Sequence, residues 1–458
     1  MSLARAIGDF VARTGPAEMP PEVVEKGKVC LLNGYGIGLG CHDTPYAPVA
    51  RRAALAMGGE QADGATLLGD GRKTTVAAAI LANAALFHGR AQEDTSGAAH
   101  LGTILLPLAT ALVETGRAPI QRLLPAVVLG YEVGGLFERA YAGHTTPVGL
   151  RASPLYGTLA AATTAAKLFG LDGERTAAAI ANAASFAGGI LQSFADGTDE
   201  WRYQVGAAAC QGLTAAELAR AGSVSAPHAL EGRSGFVRTF ARTECDVEAL
   251  AATLGREWLI HRVVFKPYPV CAFNQTPVTG ALVLREQIAG RAIRAVRVSM
   301  NPYETGYAGM DAVGPFHSIS GTLMSIPFCI ANTLVHGVPT MKLMTTYDDR
   351  AVAALIDRVK LISDSAVPTL CARIEVDLEN GESLVREQNM TVKDYNYDRG
   401  AVSDLIRRVG AEGGVPGGVY DRLEAWVDTL PAGDVRGLLA CFAELPGANK
   451  SNAVTVPA

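Results

Sequence analysis

The stretch Val76-Ala-Ala-Ala-Ile-Leu-Ala-Asn-Ala-Ala-Leu-Phe87 carries a single polar side chain, Asn83. A helix built from it has no solvent face, which is the pattern of a helix enclosed by other helices. It is too short to span a bilayer, which takes roughly 18 to 20 apolar residues. Similar Ala- and Leu-rich segments flank it, separated by Gly, Pro and Asp. Helices are predicted over 4–14, 21–36, 74–87, 100–115, 120–141, 153–170, 174–194 and 204–221. Gly34, Gly36, Gly38 and Gly40 alternate at the end of the second segment. No strand precedes them and no G-K-[ST] follows, so a flexible helix end is expected there, not a phosphate loop.

The composition shifts at Phe265-Lys266-Pro-Tyr-Pro269. Beyond it, 293–300 alternates apolar and polar residues as a half-exposed strand does, and 372–386 is two alternating runs joined through Asn380-Gly381, a hairpin signature. Helical segments are expected between them, over 318–337 and 348–362, and helical character returns from Ala401. The fold class read from this order is mainly α with a second α+β domain. A large helical domain is built from both chain ends, 1–265 and 398–458, and is interrupted by a smaller α+β domain over 266–397.

With 49% hydrophobic and 19% charged residues in 458, the chain has ample core, and disorder is excluded as its main state. A net charge of -5 and a pI near 6.0 argue against nucleic acid or anionic lipid as partner, and no segment is long enough for a membrane span. The eight cysteines are scattered with no C-x-x-C pair, which disfavours a disulfide scaffold, a zinc ribbon or a locally encoded iron–sulfur site. The start carries an acid and lacks a long apolar segment, so a cytoplasmic location is expected. A small-molecule partner fits this balance.

The densest polar cluster inside apolar sequence is His88-Gly-Arg-Ala-Gln-Glu93-Asp94-Thr95-Ser-Gly-Ala-Ala-His100. Glu93 and Asp94 are candidate acids or bases, and His88 and His100 titrate near neutral pH. A solvated loop capped by Asp94-Thr95 explains the same residues equally well. Two His and two acids do not make a convergent metal set, so no metal and no cofactor is expected. Arg151-Ala-Ser153-Pro-Leu-Tyr156 heads the next helix, with Ser153 before Pro154 as a conventional N-cap and Arg151 as a charge for a carboxylate. In Asp196-Gly-Thr-Asp199-Glu200-Trp-Arg202-Tyr203-Gln204, Arg202 and Tyr203 suit an anion, or Arg202 simply pairs with Asp199 or Glu200. Lys266, set in an aromatic, proline-fixed turn, is either a carboxylate partner or base, or a lysine whose stem covers rings. The Ser and Cys residues show no nucleophile-elbow spacing.

In this order the clusters resemble the 2-methylcitrate dehydratase (MmgE/PrpD) family over nearly the whole chain. Its His, D-F-D-D-[TS] run and second His are similar to His88, Glu93-Asp94-Thr95 and His100-Leu-Gly102. Gly157-Thr158 with Lys167-Leu-Phe-Gly-Leu171, Val205-Gly206 with Gly212, Leu230-Glu-Gly232 with Gly235-Phe236, and Phe265-Lys266-Pro-Tyr-Pro269 continue the match. The resemblance implies a helical domain with a smaller α+β lid, a homodimer, and a site in the cleft between them. It also implies metal-independent chemistry next to a carboxylate: dehydration, decarboxylation or epimerisation. On that basis His100, Lys266, Asp94 and Thr95 are the catalytic candidates, and Arg151, Arg202, Tyr156, His88 and Tyr203 the substrate-binding ones.

The chain departs from the pattern at several positions. Ala91 replaces the first Asp of the run and Arg151 a family His. Trp201 and Gln204 replace a Lys and a His, and Cys271 stands where some members have His. A lyase on a small di- or tricarboxylate is the expectation. An isomerase or epimerase and a non-catalytic acid-binding protein are the alternatives.

Overall fold

In the computed structural model, which describes residues 1–446, Thr75 opens the helix Val76–Phe87 by accepting the Ala78 N–H on its hydroxyl at 3.3 Å. All its residues but Ala77 and Leu81 are buried. Asn83 is satisfied without water: its Oδ1 accepts the Leu68 N–H and its amide donates to the Thr66 carbonyl, both at 2.9 Å. Phe87 lies edge-on to Tyr35 and stacks on Phe442 from the chain's far end.

The chain forms two compact units. The first comprises Met1–Gly189, Arg202–Val263 and the chain from Asp398 as far as it is described. It is helical throughout apart from short two-residue strands. The glycines 34, 36 and 38 lie inside the helix Pro21–Leu39, so the expectation of a loose helix end is corrected. Their purpose is close approach: a Cβ on Gly36 would lie 2.6 Å from Ile406 and one on Gly40 2.6 Å from Val409. Both partners belong to the helix Arg399–Glu412, so the returning C-terminal segment packs directly on this helix.

Other boundaries move for local reasons. Tyr46–Gly58 is a helix absent from the sequence reading; its Pro48 lies in the first turn, where proline gives up no intrahelical bond. The segment expected over 174–194 ends as a helix at Phe186 and resumes as the short Gln192–Asp196. The helix Ala152–Phe169 begins one residue before Ser153, with Arg151 at its N-cap. Ser153 is therefore not the cap.

The second unit comprises Ile190–Trp201 and Val264–Tyr397. Ile190–Trp201 was expected with the helical residues around it, yet its contacts run to the 307–321 region. Trp201 Nε1 donates to Ser320 Oγ at 3.0 Å, Ser320 Oγ donates to Asp199 at 3.1 Å, and Ser318 Oγ donates to the Gly197 carbonyl. The sheet has the order Val359–Ser363, Ile293–Met300, Cys371–Leu378, Ser383–Asn389, with the first pair parallel and the rest antiparallel. Val296, Val298 and Met300 face inward while Arg297 on the other face pairs with Glu375 and Asp377, each at 2.8 Å. Gly381 turns the Asn380-Gly381 hairpin with φ +87°. The helix expected over 348–362 ends at Ile356, and Val359–Ser363 is a strand, since a short apolar run does not by itself distinguish the two. Over 318–337 the helix breaks at Ser325, whose hydroxyl caps a second helix by accepting the Phe328 N–H at 3.0 Å. The fold class is the one read from the sequence, mainly α with a smaller α+β part. Among the described residues no helix is long and apolar enough to cross a membrane.

Candidate active site

Three helix ends meet in the first unit. Val76–Phe87 ends on His88, Gly102–Glu114 starts just after His100, and Ala152–Phe169 starts on Arg151. The loop from His88 to Ser96 is buried at every residue, with His88 at 0% and Asp94 at 1% exposure. That excludes the solvated-loop reading, because charged groups are kept in an interior only when they are paired.

Glu93 lies between the two imidazoles. Its Oε2 is 3.1 Å from His88 Nδ1 and its Oε1 is 3.3 Å from His100 Nδ1, with ring centres 5.4 Å apart. His100 Nδ1 also sits 3.1 Å from the Asp94 carbonyl oxygen. A carbonyl only accepts, so Nδ1 of His100 carries a proton and Nε2 is its proton-accepting position. The backbone N–H of His100 donates to Ser153 Oγ at 3.0 Å, which is the task Ser153 performs in place of capping. The His100 side chain is 16% exposed, against 0% for His88 and 2% for Glu93. His100 is thus the member of this trio that a small molecule can reach.

Asp94 accepts the Tyr131 hydroxyl on Oδ2. Burial, together with the nearby Asp94 charge, pushes the Tyr131 phenol well above its ordinary range, so it remains a donor. Gly102 makes room for the pair: a Cβ there would lie 2.5 Å from Asp94 Oδ1 and 2.6 Å from the Tyr131 oxygen. The Thr95 hydroxyl donates to the Gly97 carbonyl and so shapes the turn. Ser96 and Ala99 exchange backbone hydrogen bonds at 2.8 and 3.0 Å to close it.

Glu138, from the helix Leu123–Thr145, clamps this turn by accepting the Ala98 N–H at 2.9 Å. Burial raises its carboxyl to about 7, opposed by the Ala98 bond and Arg262. The folded chain therefore keeps a proton between pH ~4.5 and ~7 that the unfolded chain has lost. This group's contribution is full below pH ~4.5 and falls as pH rises to ~7, by at most about 1.4 kcal/mol per pH unit. Glu138→Gln keeps an acceptor for Ala98 and removes the buried charge. Its melting temperature is expected to exceed wild type at pH 8 and to match it at pH 5, read by thermal unfolding at both. A variant less stable at pH 8 would contradict the assignment.

Arg151 is 1% exposed. Its Nη2 lies 2.7 Å from His88 Nε2, its Nη1 donates to Gln204 Oε1 at 3.2 Å, and its backbone N–H donates to the Gly189 carbonyl. Arg202 is fully buried and stacks its guanidinium 3.6 Å over the Tyr46 ring. Tyr203 beside it is half-buried. Tyr156 is fully buried and shares a 2.7 Å hydrogen bond with Thr145.

Lys266 belongs to the second unit and is 2% exposed. Its loop is fixed by Gln275, which accepts the Tyr268 N–H at 3.1 Å and donates to the carbonyls of Tyr268 and Val270 at 3.0 Å. Among the described residues no three His, Cys, Asp or Glu side chains are grouped as metal ligands, and all eight cysteines are free thiols.

A family model described as the MmgE/PrpD N-terminal domain matches residues 5–247, more than half of the chain. The chain belongs to the MmgE/PrpD family. A cis-aconitate decarboxylase-like protein, oryM, of Aspergillus oryzae is 26% identical over 430 residues, covering 87% of this chain and 88% of that protein. The resemblance read from the sequence is borne out.

This MmgE/PrpD protein carries its departures in defined surroundings. Ala91, in the slot of the run's first Asp, holds a left-handed φ of +55°, which an alanine adopts only under strain. Burial pushes the Cys271 thiol up to about 11, so it is no substitute for a titrating histidine. Sequence reasoning missed Tyr131 and Lys26. Lys26 is 7% exposed, and burial pulls its ammonium down, opposed by Cys30 and Asp94. In Glu25-Lys26-Gly27-Lys28 it passes for a solvated charge, although its spacing from Val23 and Cys30 places it on a buried helix face.

Proposed function

We propose that the protein is a metal-independent lyase, of dehydratase or decarboxylase type, acting on a small di- or tricarboxylate. The observation that carries the reading is Glu93 lying within 3.3 Å of Nδ1 of His100, the more exposed of the two imidazoles it faces. A carboxylate behind Nδ1 orients the ring and stabilises the imidazolium formed when Nε2 takes a proton. Family membership and the decarboxylase-like relative add the substrate class: bond breaking next to a carboxylate.

In this reading dehydration has His100 Nε2 take the proton from carbon and return it to the departing hydroxyl, which leaves as water as the C–O bond breaks. Decarboxylation has the C–C bond break to release CO2 and protonated His100 give its Nε2 proton to the carbon left behind. Asp94, braced by Tyr131, fixes the loop that presents His100, and Thr95 fixes its turn. Lys266 and Arg202 are proposed as carboxylate-binding cations, with Tyr203 beside Arg202. A homodimer is proposed on family likeness, and a cytoplasmic location on composition and the free thiols.

The test is thermal protection by a panel of di- and tricarboxylates, cis-aconitate included, followed by turnover of each acid that protects. Turnover with loss of water or CO2 after exhaustive chelation is expected. Proton exchange or epimerisation without a leaving group would favour the isomerase reading, and protection without turnover a binding protein.

A further inference from the structure

Arg151 stands where the family resemblance places a histidine, and its Nη2 approaches His88 Nε2 to 2.7 Å in a fully buried setting. A guanidinium only donates and does not lose its proton, so the nitrogen it meets must be the unprotonated one. His88 Nε2 therefore accepts, and the ring's proton sits on Nδ1, 3.1 Å from Glu93 Oε2. A proton on Nε2 would face the guanidinium at 2.7 Å, which excludes the imidazolium.

We propose that Arg151 is a positioning residue that fixes His88 as a neutral, Nδ1-protonated imidazole, so that the charge of Glu93 is reserved for His100. Were His88 to take up a proton beside Glu93, the pair would neutralise each other and the His100 imidazolium would lose its counter-charge. By blocking Nε2, Arg151 leaves His100 as the histidine of the pair that can charge. With Nη1 on Gln204 and Nη2 on His88, the guanidinium is oriented inward. Its role is to hold the tautomer, not to anchor a substrate carboxylate. The catalytic consequence rests on the lyase reading above, but the tautomer does not.

The experiment is a pH series of two-bond 15N–1H spectra of the full chain labelled at histidine, with His88→Gln identifying the His88 signals. Expected in wild type is a His88 with Nδ1 protonated and Nε2 bare, unchanged from about pH 5.5 to 9. In Arg151→Met, which removes the donor, His88 should gain a titration or switch tautomer, and Arg151→Lys, which keeps a donor, should restore the wild-type pattern. With cis-aconitate as substrate, Arg151→Met should lower kcat about 10- to 100-fold while KM changes less than about threefold, and Arg151→Lys should recover part of the loss. A wild-type His88 that titrates like an ordinary histidine, or carries its proton on Nε2, overturns the proposal whether or not any variant folds. A rise in KM with kcat unchanged in Arg151→Met would also overturn it, because that marks a carboxylate anchor. If wild type turns over no member of the panel, the lyase reading falls while the spectra still decide the tautomer.

Discussion

Replacing His100 by alanine is expected to lower kcat by about 100-fold or more, the ordinary loss when a positioned acid–base group is removed. In barrier terms that is at least about 2.7 kcal/mol. The fold should survive, because the bond from the residue 100 backbone N–H to Ser153 Oγ needs no side chain, and Glu93 keeps His88 as a neighbour. Circular dichroism and the melting temperature check that point. KM should change little, since His100 is assigned to proton transfer and not to holding carboxylates. A variant that retains more than about a tenth of wild-type kcat would remove His100 from the chemistry.

The second large effect concerns substrate choice. 2-Methylcitrate is expected to be a poor substrate, with kcat/KM well below the roughly 10⁴ M⁻¹s⁻¹ at which ordinary enzymes begin. Removing water from a tricarboxylate needs an acid for the hydroxyl, a base for the proton and cations for three carboxylates. Ala91, Trp201 and Gln204 supply no charge. The Gln204 amide oxygen accepts from Arg151, and the Trp201 indole N–H donates to Ser320. Arg151 restores a cation at a histidine's place but cannot shuttle a proton. Loss of one positioned acid–base group alone corresponds to about 100- to 10,000-fold. Steady-state assay with purified 2-methylcitrate checks this, and a kcat/KM at or above about 10⁴ M⁻¹s⁻¹ would mean that the substitutions have been compensated elsewhere.

Much of the fold was legible because its signals are local. Val76–Phe87 has no polar face, 293–300 alternates, and Asn380-Gly381 can hardly be anything but a turn. Tertiary contacts decided what was misjudged. The glycines of Pro21–Leu39 read as looseness, whereas Ile406 and Val409, far along the chain, need the space they leave. The strand Val359–Ser363 exists because Ile293–Met300 offers it a parallel edge. Within the site, residue types were legible but roles were not. The 88–100 run announced acids and histidines, yet no spacing says that Glu93 lies between the two rings or that Arg151 meets His88. Lys26 and Tyr131 reach the neighbourhood of Asp94 from other helices, and only packing reveals that.

Acid–base chemistry at His100 on a small polycarboxylate, without a metal, is tested most directly by one NMR measurement. Chelator-treated wild type and His100→Ala are each incubated in D2O with a 13C-labelled panel of di- and tricarboxylates that includes cis-aconitate. The expected result is that wild type removes CO2 or water from at least one member, with solvent deuterium entering at carbon if CO2 is lost, while His100→Ala is slower by about 100-fold or more. Equal turnover by the two proteins, or turnover that returns only when a metal ion is added back, would contradict it.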